Sequence, residues 1–132
     1  MNATERLNIK IGTDIVSVAR IEKAYARFGI KFLERILTEA EKNYVLSRGK
    51  RLPESLAGRF AAKEACSKVL GVGWSNLDWK EVEVTRRTTG EPGIALHGRA
   101  QALALRRRLT RFELSISHER DFAIAFIVAY GD

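Results

Sequence analysis

The nine residues Phe122-Ala-Ile-Ala-Phe-Ile-Val-Ala-Tyr130 carry no charge and only one hydroxyl. Both faces of a strand built from them are apolar, so it must be covered twice, at the centre of a sheet or in a subunit contact. The run is less than half of the roughly 20 residues a membrane-spanning helix needs. The segment Phe112 to Ser117 precedes it, joined through His118-Glu119-Arg120-Asp121, and is expected to close an antiparallel pair with it. A chain of 132 residues has room for one such core, so residues 1–132 are read as a single domain. With 45% hydrophobic and 30% charged residues and only 2 Pro, it packs and is not disordered.

The remaining periodicity predicts an α+β protein of order βααα-ββ-α-ββ, an antiparallel sheet packed with helices. Lys10 to Val16 reads as a strand with Ile9, Ile11, Thr13 and Ile15 on one face. Ser17 caps a helix that turns Val18, Ile21, Tyr25 and Phe28 inward and stops at Gly29. Thr38-Glu39-Ala40-Glu41 fits a capping box for a helix to Ser47. Pro53 opens a longer helix that ends at Gly71. Lys80 to Thr85 and Ile94 to His97 read as strands around the turn Thr89-Gly90-Glu91-Pro92-Gly93, and Arg99 to Leu109 as a helix.

The net charge is +7, and it is unevenly spread. Between Arg86 and Arg111 seven arginines face one acid, Glu91. Such a balance favours an acidic partner without choosing it: nucleic acid, anionic lipid, a phosphorylated metabolite or an acidic protein. A small basic nucleic-acid-binding module would explain the charge, but no RNP, KH, zinc-finger or helix-turn-helix pattern is present. The aromatics are not interleaved with the arginines as a stacking platform requires. A third class is a subunit that binds a carrier protein without catalysis. The single cysteine, Cys66, excludes an internal disulfide and a Cys-based zinc site and reads as a packed side chain. Met1 to Lys10 shows no secretory-signal pattern, and the expected compartment is the cytoplasm.

Three segments carry chemistry. Asp14 stands in a strand otherwise made of Ile, Gly, Thr and Val, either capping the next helix or binding a cation. On the long helix, Phe60, Glu64, Ser67 and Lys68 share a face. With Phe60 as anchor that face is expected to point inward, although a Glu64–Lys68 pair also suits a solvated surface. Ser115-Ile116-Ser117-His118-Glu119 ends a strand before a tight turn, where an ordinary polar hairpin is the alternative.

Taken together the segments resemble the holo-acyl-carrier-protein synthases of the 4′-phosphopantetheinyl transferase superfamily. The likeness lies in Ile11-Gly12-Thr13-Asp14-Ile15-Val16 with Arg20-Ile21-Glu22, and in Arg59-Phe60-Ala61-Ala62-Lys63-Glu64-Ala65 with Ser67-Lys68. It continues in Gly90-Glu91-Pro92 and Ser115-Ile116-Ser117-His118-Glu119. It runs in order from about Ile9 to Val128. Glu91 departs from the basic residue usual between this Gly and Pro.

The resemblance implies the phosphopantetheinyl transferase fold. It also implies transfer of the 4′-phosphopantetheine arm of coenzyme A to a serine of apo-acyl carrier protein, in fatty acid biosynthesis. The other product is adenosine 3′,5′-bisphosphate. It further implies Mg²⁺ held by Asp14 and Glu64, and a homotrimer with active sites between subunits. Two acids without a Cys or paired-His set suit Mg²⁺ better than zinc or copper. Lys68, one turn beyond Glu64, is expected at the departing phosphate, and Lys63 at the pantetheine or diphosphate from the flank. Lys50, Arg51, Arg59, Ser67, Pro92 and His118 complete the expected coenzyme A contacts. The serine's base is either Glu64, acting through a bound water, or His118, which has phosphate binding as its other role. Arg20, Lys23 and Arg27 form one stripe of the first helix, expected to dock the acidic carrier.

Overall fold

The computed structural model describes residues 7–131; residues 1–6 and 132, including part of the N-terminal stretch read above, lie outside them. The apolar run becomes the middle strand of a three-stranded antiparallel sheet. β1 (Ile9–Ser17) and β4 (Arg111–His118) flank β5 (Phe122–Tyr130) in the order β1-β5-β4. Ala123, Ala125, Ile127 and Ala129 point to one side and are buried. Three of these four are alanines, which allows α4 (Leu52–Leu70) to lie close against the sheet. Phe122, Ile124, Phe126 and Tyr130 point to the other side. They join Ile9, Ile11 and Ile15 of β1 in an apolar face that nothing among the described residues covers.

Gly12 sets the approach of β1 to α4. A Cβ there would fall on the backbone oxygen of Ala65 and against Val69 Cγ2, so only glycine lets strand and helix touch at this point. Asp14, two residues on and on the same face, is thereby carried to the flank of α4.

α1 (Val18–Phe28) starts at Ser17, whose Oγ accepts from the Arg20 amide at 3.3 Å. It stops at Gly29, where φ is 64°. A short helix not expected from sequence, α2 (Ile30–Ile36), follows without a side-chain cap, so four helices precede the first hairpin strand. Phe28 corrects a further expectation: it is 55% exposed, outside the core that holds Val18 and Ile21. α3 (Glu39–Leu46) carries the Thr38 capping box in full. A 3₁₀ turn at Gly49–Arg51 leads into α4, which ends at Gly71 with φ 73°. The hairpin β2 (Val82–Arg86) and β3 (Pro92–Leu96) forms a separate two-stranded sheet, and α5 (Gly98–Arg106) returns the chain to β4.

α4 is enclosed on nearly every side, by the sheet on one flank and by α1, α3 and β2 on the other. Its buried residues therefore run all round it, and the Phe60–Lys68 face is not the inward one. Phe60 and Glu64 are half-buried and Lys68 is exposed. Lys63 is fully buried instead. Its Nζ donates to Glu41 Oε1 at 2.9 Å, to the Val82 carbonyl at 2.5 Å and to the Trp79 carbonyl at 3.0 Å. All three ammonium protons are used in tying α4 to α3 and β2, so the expected contact of Lys63 with coenzyme A is replaced by a structural role. Burial pushes the Lys63 pKa down, and the Glu41 carboxylate beside it opposes that shift.

Candidate active site

Two groups of polar side chains lie at different heights on α4. The first is at the β1 seam. Lys68 Nζ donates to Asp14 Oδ1 at 3.1 Å and to the Thr13 carbonyl at 2.9 Å. Lys68 is 55% exposed and Asp14 18%, so the pair opens to solvent. Glu64, one turn before Lys68, accepts from Trp74 Nε1 at 3.1 Å. Trp74 stacks on Trp79 at 3.8 Å between centroids, and Trp79 on Phe60 at 5.0 Å. Ser67 donates its hydroxyl back to the Glu64 carbonyl at 2.7 Å. Each carboxylate is thus held by one donor, with lone pairs to spare. Among the described residues no cluster of three or more acids, histidines and cysteines forms. Asp14 and Glu64 are hard-oxygen donors of the type Mg²⁺ takes, one or two at a time, with phosphate and water filling its other positions.

The second group lines a cavity of about 190 Å³ at the N-terminal end of α4. Arg48, Arg51, Glu54, Ser55 and Arg59 approach from the turn and the helix, Tyr44 from α3 and Arg86 from β2. Gly90, Pro92, Ile116 and His118 close the far side. Gly58 lets β4 in: a Cβ there would stand 3.1 Å from Ile116 Cγ2. Arg59 is 7% exposed; its Nη1 donates to Ser55 Oγ at 3.1 Å, and its buried Nε has no partner. Burial lowers the Arg59 pKa to about 10, which still leaves it charged at neutral pH. His118 Nδ1 lies 3.8 Å from Glu54 Oε2. Four guanidinium groups around one open cavity make a strong anion site.

The structure thus joins Asp14 to Lys68, with Glu64 one turn before Lys68 on α4, and separately groups Arg51, Arg59, Pro92 and His118. Glu54, the neighbour of His118, precedes Glu64 by ten residues, about 15 Å along a helix axis. His118 therefore does not stand beside Glu64 within one chain. Lys50 is exposed on the 3₁₀ turn and does not line the cavity. Glu91, the departure noted above, pairs with Arg87 at 3.4 Å on the surface and also stays outside the lining. Sequence reasoning passed over Tyr44, Glu54 and Arg86. Only Arg86 carried a signal, as the first residue of the arginine-rich segment.

Arg20, Lys23 and Arg27 are all exposed on α1. Near them a second, apolar groove of about 330 Å³ runs between α1 and α2, floored by Phe60 and Trp79 and edged by Phe28, Lys31 and Arg35.

The fold that carries these two groups is that of a known family. The family model of the 4′-phosphopantetheinyl transferase superfamily matches residues 10–127, and the chain belongs to that superfamily. Within it the similar proteins are holo-[acyl-carrier-protein] synthases. That of Desulforudis audaxviator is 46% identical over 121 residues, covering 92% of each chain. That of Gloeobacter violaceus is 43% identical over 122 residues, again 92% of each. Among solved structures, the Helicobacter pylori holo-[acyl-carrier-protein] synthase in complex with coenzyme A superposes with a TM-score of 0.77 at 42% identity. That match covers 90% of this chain and 98% of the other. The Neisseria meningitidis synthase gives 0.83 at 34% identity, over 94% and 98%.

Proposed function

We propose that the protein is a holo-[acyl-carrier-protein] synthase: it transfers 4′-phosphopantetheine from coenzyme A to a serine of apo-acyl carrier protein. The observation that carries this reading is the pairing of an Asp14–Glu64–Lys68 seam with an arginine-lined cavity on one helix. Coenzyme A has the matching chemistry: a diphosphate to be cleaved and a separate phosphate on the ribose.

In the transfer the serine oxygen attacks the phosphorus that bears pantetheine. The bond from that phosphorus to the oxygen of the other phosphate breaks, and adenosine 3′,5′-bisphosphate leaves. Asp14 and Glu64 would hold Mg²⁺, which when bound neutralises charge on the diphosphate. Lys68, exposed beside Asp14, donates to the departing phosphate oxygen. Glu64 is the candidate acceptor of the serine proton. His118 sits among the arginines and is read as a phosphate ligand with Arg51 and Arg59; Pro92 lines the same cavity, and Ser67 is read as a coenzyme A contact beside Glu64. Arg20, Lys23 and Arg27 are read as the carrier's docking stripe.

The open β1–β5 face supports a homotrimer. Seven exposed apolar residues on one sheet face are a surface that a second copy would cover. A site shared between copies would also join the seam of one subunit to the arginine cavity of another. Ile124→Lys should give monomers by sedimentation. Mixed oligomers of Asp14→Ala and Arg59→Ala subunits should regain activity that neither has alone. The one free, buried thiol suits a reducing cytoplasm, where the enzyme would serve fatty acid biosynthesis.

The test is to incubate the protein with coenzyme A, Mg²⁺ and apo-acyl carrier protein and weigh the carrier. A gain of one phosphopantetheine arm is expected. Salt-sensitive binding to random DNA with no gain would support a nucleic-acid module instead.

A further inference from the structure

We propose that Tyr44 is the positioning residue of the arginine cavity, its ring being the shared support that holds Arg48, Arg59 and Arg86 together before any phosphate arrives. The proposal rests on reading that cavity as the nucleotide end of the coenzyme A site, and deepens it.

The guanidinium carbons of Arg59, Arg86 and Arg48 lie 4.3, 4.4 and 5.4 Å from the centroid of the one Tyr44 ring. Like charges gathered this closely repel: after burial, the Arg48 charge is among the causes that lower the Arg59 pKa. Such a cluster is ordinarily held by carboxylates. Here, among the described residues, neither Arg48, Arg59 nor Arg86 has a carboxylate within 4 Å. What they share is the electron-rich π-system of the one Tyr44 ring. A planar guanidinium stacks on an aromatic ring and keeps its in-plane donors free for a phosphate, which a lysine in the same place would not do.

The ring is itself fixed. Glu41, one turn earlier on α3, accepts from Lys63 of α4 and, through Oε2, from the Val84 amide of β2 at 2.9 Å. α3, α4 and β2 are thereby pinned to one another, and these elements also carry Tyr44, Arg59 and Arg86. Tyr44 would therefore act through the arginines, on binding and not on the chemical step.

The test compares wild type, Tyr44→Leu and Tyr44→Phe by calorimetric binding of adenosine 3′,5′-bisphosphate, by KM and kcat with coenzyme A, and by thermal denaturation. Tyr44→Leu should weaken nucleotide binding and raise KM for coenzyme A roughly tenfold or more, the factor expected for three lost cation–π contacts. Its kcat at saturating coenzyme A should stay near the wild-type value. Tyr44→Phe should restore wild-type affinity, because the ring and not the hydroxyl is what counts. Wild-type affinity in a folded Tyr44→Leu, or Phe as weak as Leu, overturns the proposal. If Tyr44→Leu does not fold, the Hε NMR signals of Arg59 and Arg86 decide in the wild-type protein. Upfield ring-current shifts support stacking, and ordinary shifts overturn it. Arg86→Ala separates the two layers of inference. Undiminished nucleotide binding in Arg86→Ala removes the cavity reading and Tyr44's role with it. Loss in Arg86→Ala with none in Tyr44→Leu removes Tyr44's role alone.

Discussion

Asp14 and Glu64 are reached by separate elements, one by a strand and one by a helix, and each is held by a single donor. Neither carboxylate is spent on a structural network, unlike Glu41, whose two oxygens accept from Thr38, Lys63 and Val84. Asp14→Ala and Glu64→Ala should each lower turnover by at least about 100-fold while the near-UV circular dichroism stays native. Near-normal turnover across a Mg²⁺ titration would remove that residue from the metal site. His118 belongs to the other cavity, so His118→Ala should raise KM for coenzyme A and leave kcat little changed. A fall of roughly 10² in kcat at saturating coenzyme A would return the imidazole to the role of base.

Lys63 shows what an element does to a residue. Its ammonium is fully buried and its protons are all placed, so Lys63→Met leaves Glu41 as an uncompensated buried carboxylate. The expected loss is about 3–5 kcal/mol, read as a lower midpoint in urea denaturation; an unchanged midpoint would contradict the structural role. Local signals made much of this scaffold legible. The Thr38 capping box, Pro53 and Gly71 bracket α3 and α4 because caps act within one turn. The apolar run was legible as the middle strand, but among the described residues only its alanine face is covered, and the face with Phe122, Ile124, Phe126 and Tyr130 stays open. The direction of Lys63 was not legible. A helix enclosed on nearly all sides has no polar stripe from which to tell inside from outside, and residues 61, 62, 65 and 66 are small enough to face anything. α2 escaped for a related reason: it begins at a glycine with no side-chain cap. Motif order singled out Asp14 and Lys68, which the structure places in contact, whereas Tyr44 and Glu54 join the cavity through tertiary packing that no short spacing encodes.

At the scale of the molecule, charge and apolar surface are segregated. The apolar sheet face carries residues 9, 11, 15, 122, 124, 126 and 130, while Arg20, Lys23 and Arg27 lie exposed on α1. If the stripe docks an acidic carrier, Arg20→Glu should raise KM for the carrier severalfold, and the effect should shrink as salt rises. Arg106→Glu makes the same change in net charge in the arginine-rich segment. An equal loss in both variants would assign carrier binding to the diffuse +7 balance and not to α1. The most direct measurement follows both products of one reaction, holo-carrier by intact mass and adenosine 3′,5′-bisphosphate by chromatography. The expected result is one nucleotide released for each phosphopantetheine arm gained, with both products lost in Glu64→Ala. An unchanged carrier mass, or nucleotide release without mass gain, would contradict the assignment.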